Sequence, residues 1–221
     1  MNQKRKSAGW LEKVVTPGWM RLALPLVTWR KKATAEKKIY LTFDDGPTTE
    51  LTEWILSELR RHNAKATFFC IGENITRHPE QVAAMMAAGH LICNHSHRHL
   101  NGWKTNSKEY VDDVLNCQKV LTQSLGCSPR YFRPPFGRIS IRQWCRLRRE
   151  FEIVLWDILS MDYRPELTGS QVANNVVQNA NAGSIVVMHD SILAAERVTR
   201  SLPLIVDHFS NAGFQMCRLD E

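Results

Sequence analysis

Two neighbouring carboxylates, Asp44 and Asp45, close an apolar, β-prone run (Ile39–Phe43) and lead straight into Gly46-Pro47. Adjacent like charges repel, so the pair needs a reason. A cation that neutralises one of them would supply it. The other could then serve as a base toward a metal-bound water, whose pKa can fall from 15.7 to roughly 7. Read alone, the same residues equally describe an exposed turn, because Asp, Gly and Pro all favour turns. A second group lies fifty residues on. His95 and His99 are four positions apart, which puts both imidazoles on one face if the segment is helical. On spacing alone they are more readily two surface histidines. Adding Asp45 completes a two-histidine, one-carboxylate set that suits a divalent metal and leaves positions open for water and substrate.

The elements that must position these groups alternate along the chain. Ile39–Phe43 is expected as a strand. The helix after it runs Glu50–His62, with Leu51, Trp54, Ile55 and Leu59 on one face. Ala66–Cys70 is expected as a strand, and Pro79 opens a helix that Gly89 ends. Leu91–Cys93 is a short strand. Asn106 and Glu109 are spaced as an N-cap pair before a helix that stops at Gly126. Ile153–Trp156 and Ser184–Met188 read as strands around a helix capped by Ser170. A Leu202–Phe209 helix and a Phe214–Cys217 strand close the chain. Alternating strands and helices imply right-handed βαβ units around a parallel sheet. No GxGxxG follows the first strand, which argues against a dinucleotide site, and there is no GxxxxGK[ST] loop. A closed or nearly closed barrel is expected, with its chemistry at the C-terminal strand ends. The titratable clusters fit: Asp44-Asp45, Asn94 to His99, Arg133 to Gly137, Asp157 and Asp162, and His189-Asp190 each follow or flank an apolar run.

Composition bounds the rest. The 221 residues suffice for one sizeable core, and the hydrophobic share of 43% is that of a globular chain. The net charge is +7, but residues 1–38 hold ten basic and two acidic residues, or +8, leaving about −1 for the body. A nucleic-acid surface on the body is therefore disfavoured. The organisation expected is a basic N-terminal arm, 1–37, and a catalytic domain, 38–221. Leu11 to Trp29 is interrupted by Glu12, Lys13, Pro17, Arg21 and Pro25, so neither a signal peptide nor a spanning helix is read there. The arm is read as packing against the body, while Trp10, Trp19 and Trp29 among Lys and Arg would also suit peripheral contact with an anionic membrane. The six cysteines contain no CxxC pair, which fits a reducing compartment, and the protein is expected to be cytoplasmic or membrane-peripheral.

Five short motifs give the chain a family resemblance over residues 38 to 218. Thr42-Phe43-Asp44-Asp45-Gly46-Pro47, Asn94-His95-Ser96-His97-Arg98-His99, Arg133-Pro134-Pro135-Phe136-Gly137, Ser160-Met161-Asp162-Tyr163 and Val187-Met188-His189 occur in order. The set resembles the polysaccharide deacetylases of carbohydrate esterase family 4, the NodB-homology domain. The resemblance implies a distorted, partly open (β/α)7 barrel of TIM-like α/β class. It implies a hydrolase that removes N-acetyl groups from amino sugars of a chitooligosaccharide or peptidoglycan type of glycan. One divalent metal, zinc first and cobalt, manganese or nickel as alternatives, would be held by Asp45, His95 and His99.

The resemblance also implies roles at the other matching positions. Asp44 would be the base and Arg133 would keep it charged. His189 would be the acid that protonates the leaving amine, with Asp162 orienting it. Pro134, Phe136, Tyr163 and Val187 would line the substrate, and a backbone N–H near Phe136 would share the oxyanion. Tyr163 replaces the usual Trp, Val187 the usual Leu, and Leu159 an additional Asp for which Asp157 either substitutes or does not. His97 is read as a rim residue and Asp190 as structural. O-deacetylation of sugars, deformylation of a lipid-linked amino sugar and non-catalytic carbohydrate binding are the alternatives, and oligomeric state stays open.

Overall fold

The computed structural model describes residues 13–33 and 35–221. A short helix α1 (Gly18–Ala23) precedes the first strand, β1 (Lys38–Asp44). Then follow α2 (Thr49–Arg61), β2 (Thr67–Cys70), α3 (Gly72–Arg77), α4 (Pro79–Ala87) and β3 (Leu91–Asn94). The chain continues through α5 (Ser107–Leu125), β4 (Tyr131–Phe132), α6 (Ile141–Leu147), β5 (Glu152–Ile153) and β6 (Ile158–Leu159). It ends with α7 (Gly169–Val177), β7 (Ile185–His189), α8 (Ala195–Asn211) and β8 (Gln215–Met216). Seven parallel strands in the order β5-β4-β3-β2-β1-β7-β6 curl into a distorted, open barrel, and β8 pairs with the start of β1.

Strand alternation divides the core into two layers. On β1, Ile39, Leu41 and Phe43 face outward and pack with Ile55 and Leu59 of α2 and Val198, Leu202 and Phe209 of α8. Each such fully buried side chain contributes about 1.5–3 kcal/mol. Tyr40 takes the inner face, in a second cluster with Phe69, Cys93 and Val187, and the same alternation turns Thr42 and Asp44 inward at the upper end of β1. Local chemistry sets the helix ends. Asn106 Oδ1 accepts from the Lys108 N–H at the start of α5, and Gly126 ends that helix in the left-handed region. Thr168 and Gln171 form a capping box on α7, as do Ser140 and Gln143 on α6. Thr168, and not Ser170, is thus the cap of α7.

Several elements differ from expectation, beginning with the short helices α1 and α3, which the sequence reading did not include. β4 has two residues, too few for a periodic signal. α6 is only seven residues long, with two arginines between its apolar positions and Ile141 exposed. Of the run expected as one strand at 153–156 only Ile153 lies in a strand: β5 pairs with β4, and four residues later β6 pairs with β7. These two strands are the open edges of the barrel. Residues 14–31 bridge them. The Thr28 N–H donates to Ile153 O at 2.9 Å, and the Leu159 N–H donates to Val14 O at 2.8 Å. Met20, Val27 and Trp29 are buried with the inner cluster.

One titratable group registers this packing. His90 is 7% exposed, and its Nδ1 accepts the Ala66 N–H at 3.2 Å, a role that requires the neutral ring. Burial, with Lys65, Arg218 and Arg60 nearby, pushes its pKa down to about 4. The unfolded chain therefore binds the extra proton first, between the ordinary value near 6.5 and about 4. We predict that folding stability, complete with respect to this group above pH 6.5, falls by about 3 kcal/mol as pH drops through that window. Urea unfolding at stepped pH should show a shallower fall for His90→Gln; parallel curves would refute the assignment.

Candidate functional site

The site lies at the upper end of the barrel. Parallel register sets Asp44 of β1 opposite His189 of β7. Asp45 follows with φ 79°, turning its carboxylate away from the strand. Asn74 Nδ2 donates to Asp45 O at 2.7 Å, and the Ile71 N–H donates to Gly46 O at 2.9 Å, so α3 anchors the turn. Gly46 is required by contact: a Cβ there would overlap the carboxylate of Asp190. Asp190 is buried, accepts from Thr52 Oγ1 at 3.0 Å, and donates its N–H to Asp44 O at 3.0 Å. Burial pushes its carboxyl well above the ordinary range. Its surroundings are those of a structural tie.

His95 and His99 do not share a helix face. Residues 95–99 form a loop in which Ser96 and His99 have positive φ, 66° and 57°. Asn94 Oδ1 accepts the Ser96 N–H at 2.8 Å, and Ser96 Oγ accepts the His99 N–H at 3.1 Å. The loop brings the rings together with centroids 5.1 Å apart. Asp45 Oδ1 stands 3.5 Å from His95 Nε2 and 3.1 Å from His99 Nε2. One donor atom from each of the three lies within 4.8 Å of the others. His95 Nδ1 sits 2.8 Å from Arg133 O, an acceptor, so Nδ1 carries the hydrogen and the Nε2 lone pair faces Asp45. Burial opposes the charge of Asp45, but the imidazoles of His95 and His99 beside it, with His189, hold its carboxyl well below the ordinary range. A carboxylate and an imidazole nitrogen with its lone pair inward are the donor types a divalent cation takes, so the residues present fit one.

Arg133 has no solvent exposure. Its Nη1 donates to Asp44 Oδ1 at 2.6 Å and to Thr42 Oγ1 at 2.7 Å, and Nη2 donates to Leu155 O at 3.1 Å. The guanidinium also stacks 4.1 Å above Phe69. On the other side, Asp162 Oδ1 is 2.7 Å from His189 Nδ1 and Oδ2 accepts the His189 N–H at 2.7 Å. Arg197 donates to the Asp162 carbonyl. Burial disfavours the imidazolium of His189, yet the charge and hydrogen bond of Asp162, reinforced by Asp45 and Asp44, push its pKa up to about 10.

The remaining predicted residues are distributed around this rim. Pro134 is buried before a short 3-10 turn whose closing donors are the N–H groups of Gly137 and Arg138. Phe136, half exposed at φ 59°, sets its ring edge-on to His99 at 4.6 Å. Tyr163 lies edge-on to His189 at 5.3 Å. Val187 is buried in the inner cluster, on the His189 face of β7 but two residues lower. Asp157 does not join the rim. It lies at the opposite end of β7, where it accepts from the Ile185 N–H, Ser184 Oγ and Arg30 Nη1. The strand split explains the displacement: the residues before β6 meet the start of β7. His97 points at Gly72, with its N–H held by Asp113 at 2.9 Å. Sequence reasoning missed Thr42, Asn74 and Asp113. Thr42 stood in the first motif with no role read for it, Asp113 showed as an acid within the apolar stripe of α5, and Asn74 carried no signal.

Buried ion pairs resist the loss of one partner more than of both. We predict that Arg133→Met, which strands the Asp44 carboxylate, costs about 3–5 kcal/mol of folding stability. Asp44→Asn leaves the guanidinium without its counter-charge but keeps an Oδ1 acceptor for Nη1, so it should be destabilising by less. Urea midpoints would decide, and equal losses for the two variants would remove Arg133 from this role.

Comparison with known proteins places the chain. A polysaccharide deacetylase family profile matches residues 31–150. A peptidoglycan-N-acetylglucosamine deacetylase of Bacillus cereus is 36% identical over 156 residues, covering 70% of this chain and 56% of its own length. This chain therefore spans little more than half of that relative. A second Bacillus cereus protein of the same name is 31% identical over 198 residues, covering 88% of this chain and 92% of its own. Among solved structures, the Bc1960 peptidoglycan N-acetylglucosamine deacetylase, in complex with 4-naphthalen-1-yl-N-oxidanyl-benzamide, superposes with a TM-score of 0.85 at 30% identity, covering 92% of this chain and 95% of that one.

Proposed function

Since the chain belongs to the polysaccharide deacetylase family, we propose that it is a metal-dependent hydrolase removing N-acetyl groups from amino sugars of a glycan. Peptidoglycan is the substrate class that its relatives' names favour. The observation that carries the reading is the flanking of Asp45, His95 and His99 by two buried pairs, Arg133–Asp44 and Asp162–His189, on adjacent strands.

Asp45, His95 and His99 would hold the cation, with zinc proposed for this nitrogen and oxygen set. When bound, it would polarise the acetyl carbonyl and make water a nucleophile at neutral pH. Arg133 occupies Asp44 Oδ1, which leaves Oδ2 to accept the proton of the attacking water. The N–H of Phe136 is proposed as a donor to the developing oxyanion. Asp162 holds Nδ1 of His189, so Nε2 is the atom that delivers a proton to the leaving nitrogen. The C–O bond forms first, with the carbonyl electrons moving onto the oxyanion; the acetyl C–N bond then breaks as the nitrogen takes the proton from His189 Nε2, giving acetate and a free amine. Phe136 and Tyr163, one over each histidine, would flank the sugar, with Pro134 and Val187 behind them.

We predict that Asp44→Asn and His99→Ala each lower acetate release by roughly 10²–10⁴-fold or more, with Asp44→Asn still folded. Acetate release should be measured on chitooligosaccharides and peptidoglycan fragments, with acetylated xylan as the ester control. A chelator should abolish turnover reversibly; full activity after chelation would overturn the metal assignment. Asp162→Asn removes the main charge that raises the His189 pKa, so the acid form should be lost at lower pH. The alkaline limb of kcat/KM should move down by about one unit or more. An unmoved limb would show that His189 is not the titrating acid.

A further inference from the structure

One face of the molecule combines exposed aliphatic side chains with an excess of positive charge. An apolar groove of about 330 Å³ runs between the N-terminal segment and the loops around α6, lined by Leu24, Leu26, Trp103, Ile139, Ile141 and Trp144. Its rim is open to solvent: Leu26 is 64% and Ile141 80% exposed, and on α1 Leu22 is 83% exposed. Isolated apolar residues on a surface need no account, but a contiguous group around a groove marks an interaction site.

The charge around the groove identifies the partner. Residues 13–33, 99–104 and 137–155, which supply its walls and surroundings, contain eleven Lys and Arg against two acids, Glu150 and Glu152, and Glu152 accepts from Thr28 Oγ1. The basic residues are Lys13, Arg21, Arg30, Lys31, Lys32, Lys104, Arg138, Arg142, Arg146, Arg148 and Arg149. Arg30 is engaged by Asp157. Arg148 stacks on Trp144 at 4.7 Å and Arg138 on Trp103 at 5.3 Å, so cations and apolar rings form one surface. A nucleic acid would meet the cations but offers nothing to Leu22, Leu26 and Ile141. An anionic bilayer offers both partners, acyl chains for the aliphatic groups and headgroup charge for the arginines.

We propose that this face docks on an anionic phospholipid bilayer. The rim of the site is continuous with it. Arg138 lies 5.9 Å from the Phe136 ring, which in turn packs on His99. Docking therefore sets the Asp45–His95–His99 cluster beside the headgroup layer. The docking itself does not rest on the deacetylase reading, so a failure of either leaves the other standing.

The test is sedimentation of the full chain with vesicles of phosphatidylcholine alone or with about 30% phosphatidylglycerol, at physiological salt. Binding to the anionic vesicles should be at least roughly tenfold tighter than to the neutral ones. The double variants Leu26→Asp with Ile141→Asp, and Arg142→Glu with Arg146→Glu, should each weaken it at least roughly tenfold, with unchanged thermal midpoints. Charge reversal at Lys4, Arg5 and Lys6, outside the described residues, should leave most of the binding. Hydrogen exchange in the wild-type chain should slow at residues 19–26 and 138–146 on vesicle addition. Absent binding, equal binding to neutral vesicles, loss only on reversal at Lys4 to Lys6, or unchanged exchange in both segments would each overturn the proposal. So would displacement by a soluble polyanion with no effect of Leu26→Asp and Ile141→Asp.

Discussion

A guanidinium with no contact with water lies beneath the rim of this barrel, and the site is arranged around it. Arg133 meets Asp44, Thr42 and the carbonyl of Leu155 with its terminal nitrogens, and its own carbonyl orients His95. One residue therefore touches β1, the loop carrying the histidines, and the edge of the sheet. A buried cation is tolerated only with charge and hydrogen bonds around it. That requirement couples the position of Asp44 to that of His95, and the neighbouring residue Asp45 is placed between the two imidazoles as a consequence.

The second constraint is the seam. An open parallel sheet leaves β5 and β6 with unpaired edges, and the four residues joining them cannot cover both. Residues 14–16 and 28–31 supply the missing backbone partners, and Arg30 joins Asp157 to the far end of β7. Exposed strand edges invite pairing with other chains, so covering them has value beyond stability. The covering segment then presents Leu22 and Leu26 outward beside α6, which makes the seam and the cationic apolar face parts of one feature.

Net charge hid that face. The body beyond residue 38 sums to about −1, yet residues 137–149 hold five Arg and no acid. A sum over sequence cancels charges that lie on opposite sides of the molecule, whereas a partner meets the field of one side only.

The five motifs carried the site's membership in the sequence itself: Asp44, Asp45, His95, His99, Arg133, Asp162 and His189 were all legible, as was the alternation that builds a parallel sheet. These signals are local, since each depends on residue type and short spacing. What the tertiary structure decided was non-local. The histidines meet through a loop with left-handed backbone at Ser96 and His99, not through helical spacing. Asp157 belongs to the seam because it lies in the connection from β5 to β6, which pair with different neighbours, and Thr42 and Asn74 serve the site through contacts 91 and 29 residues away in sequence. Register, burial and the face a charge lies on are set by which segments pack together, and no window along the chain contains them.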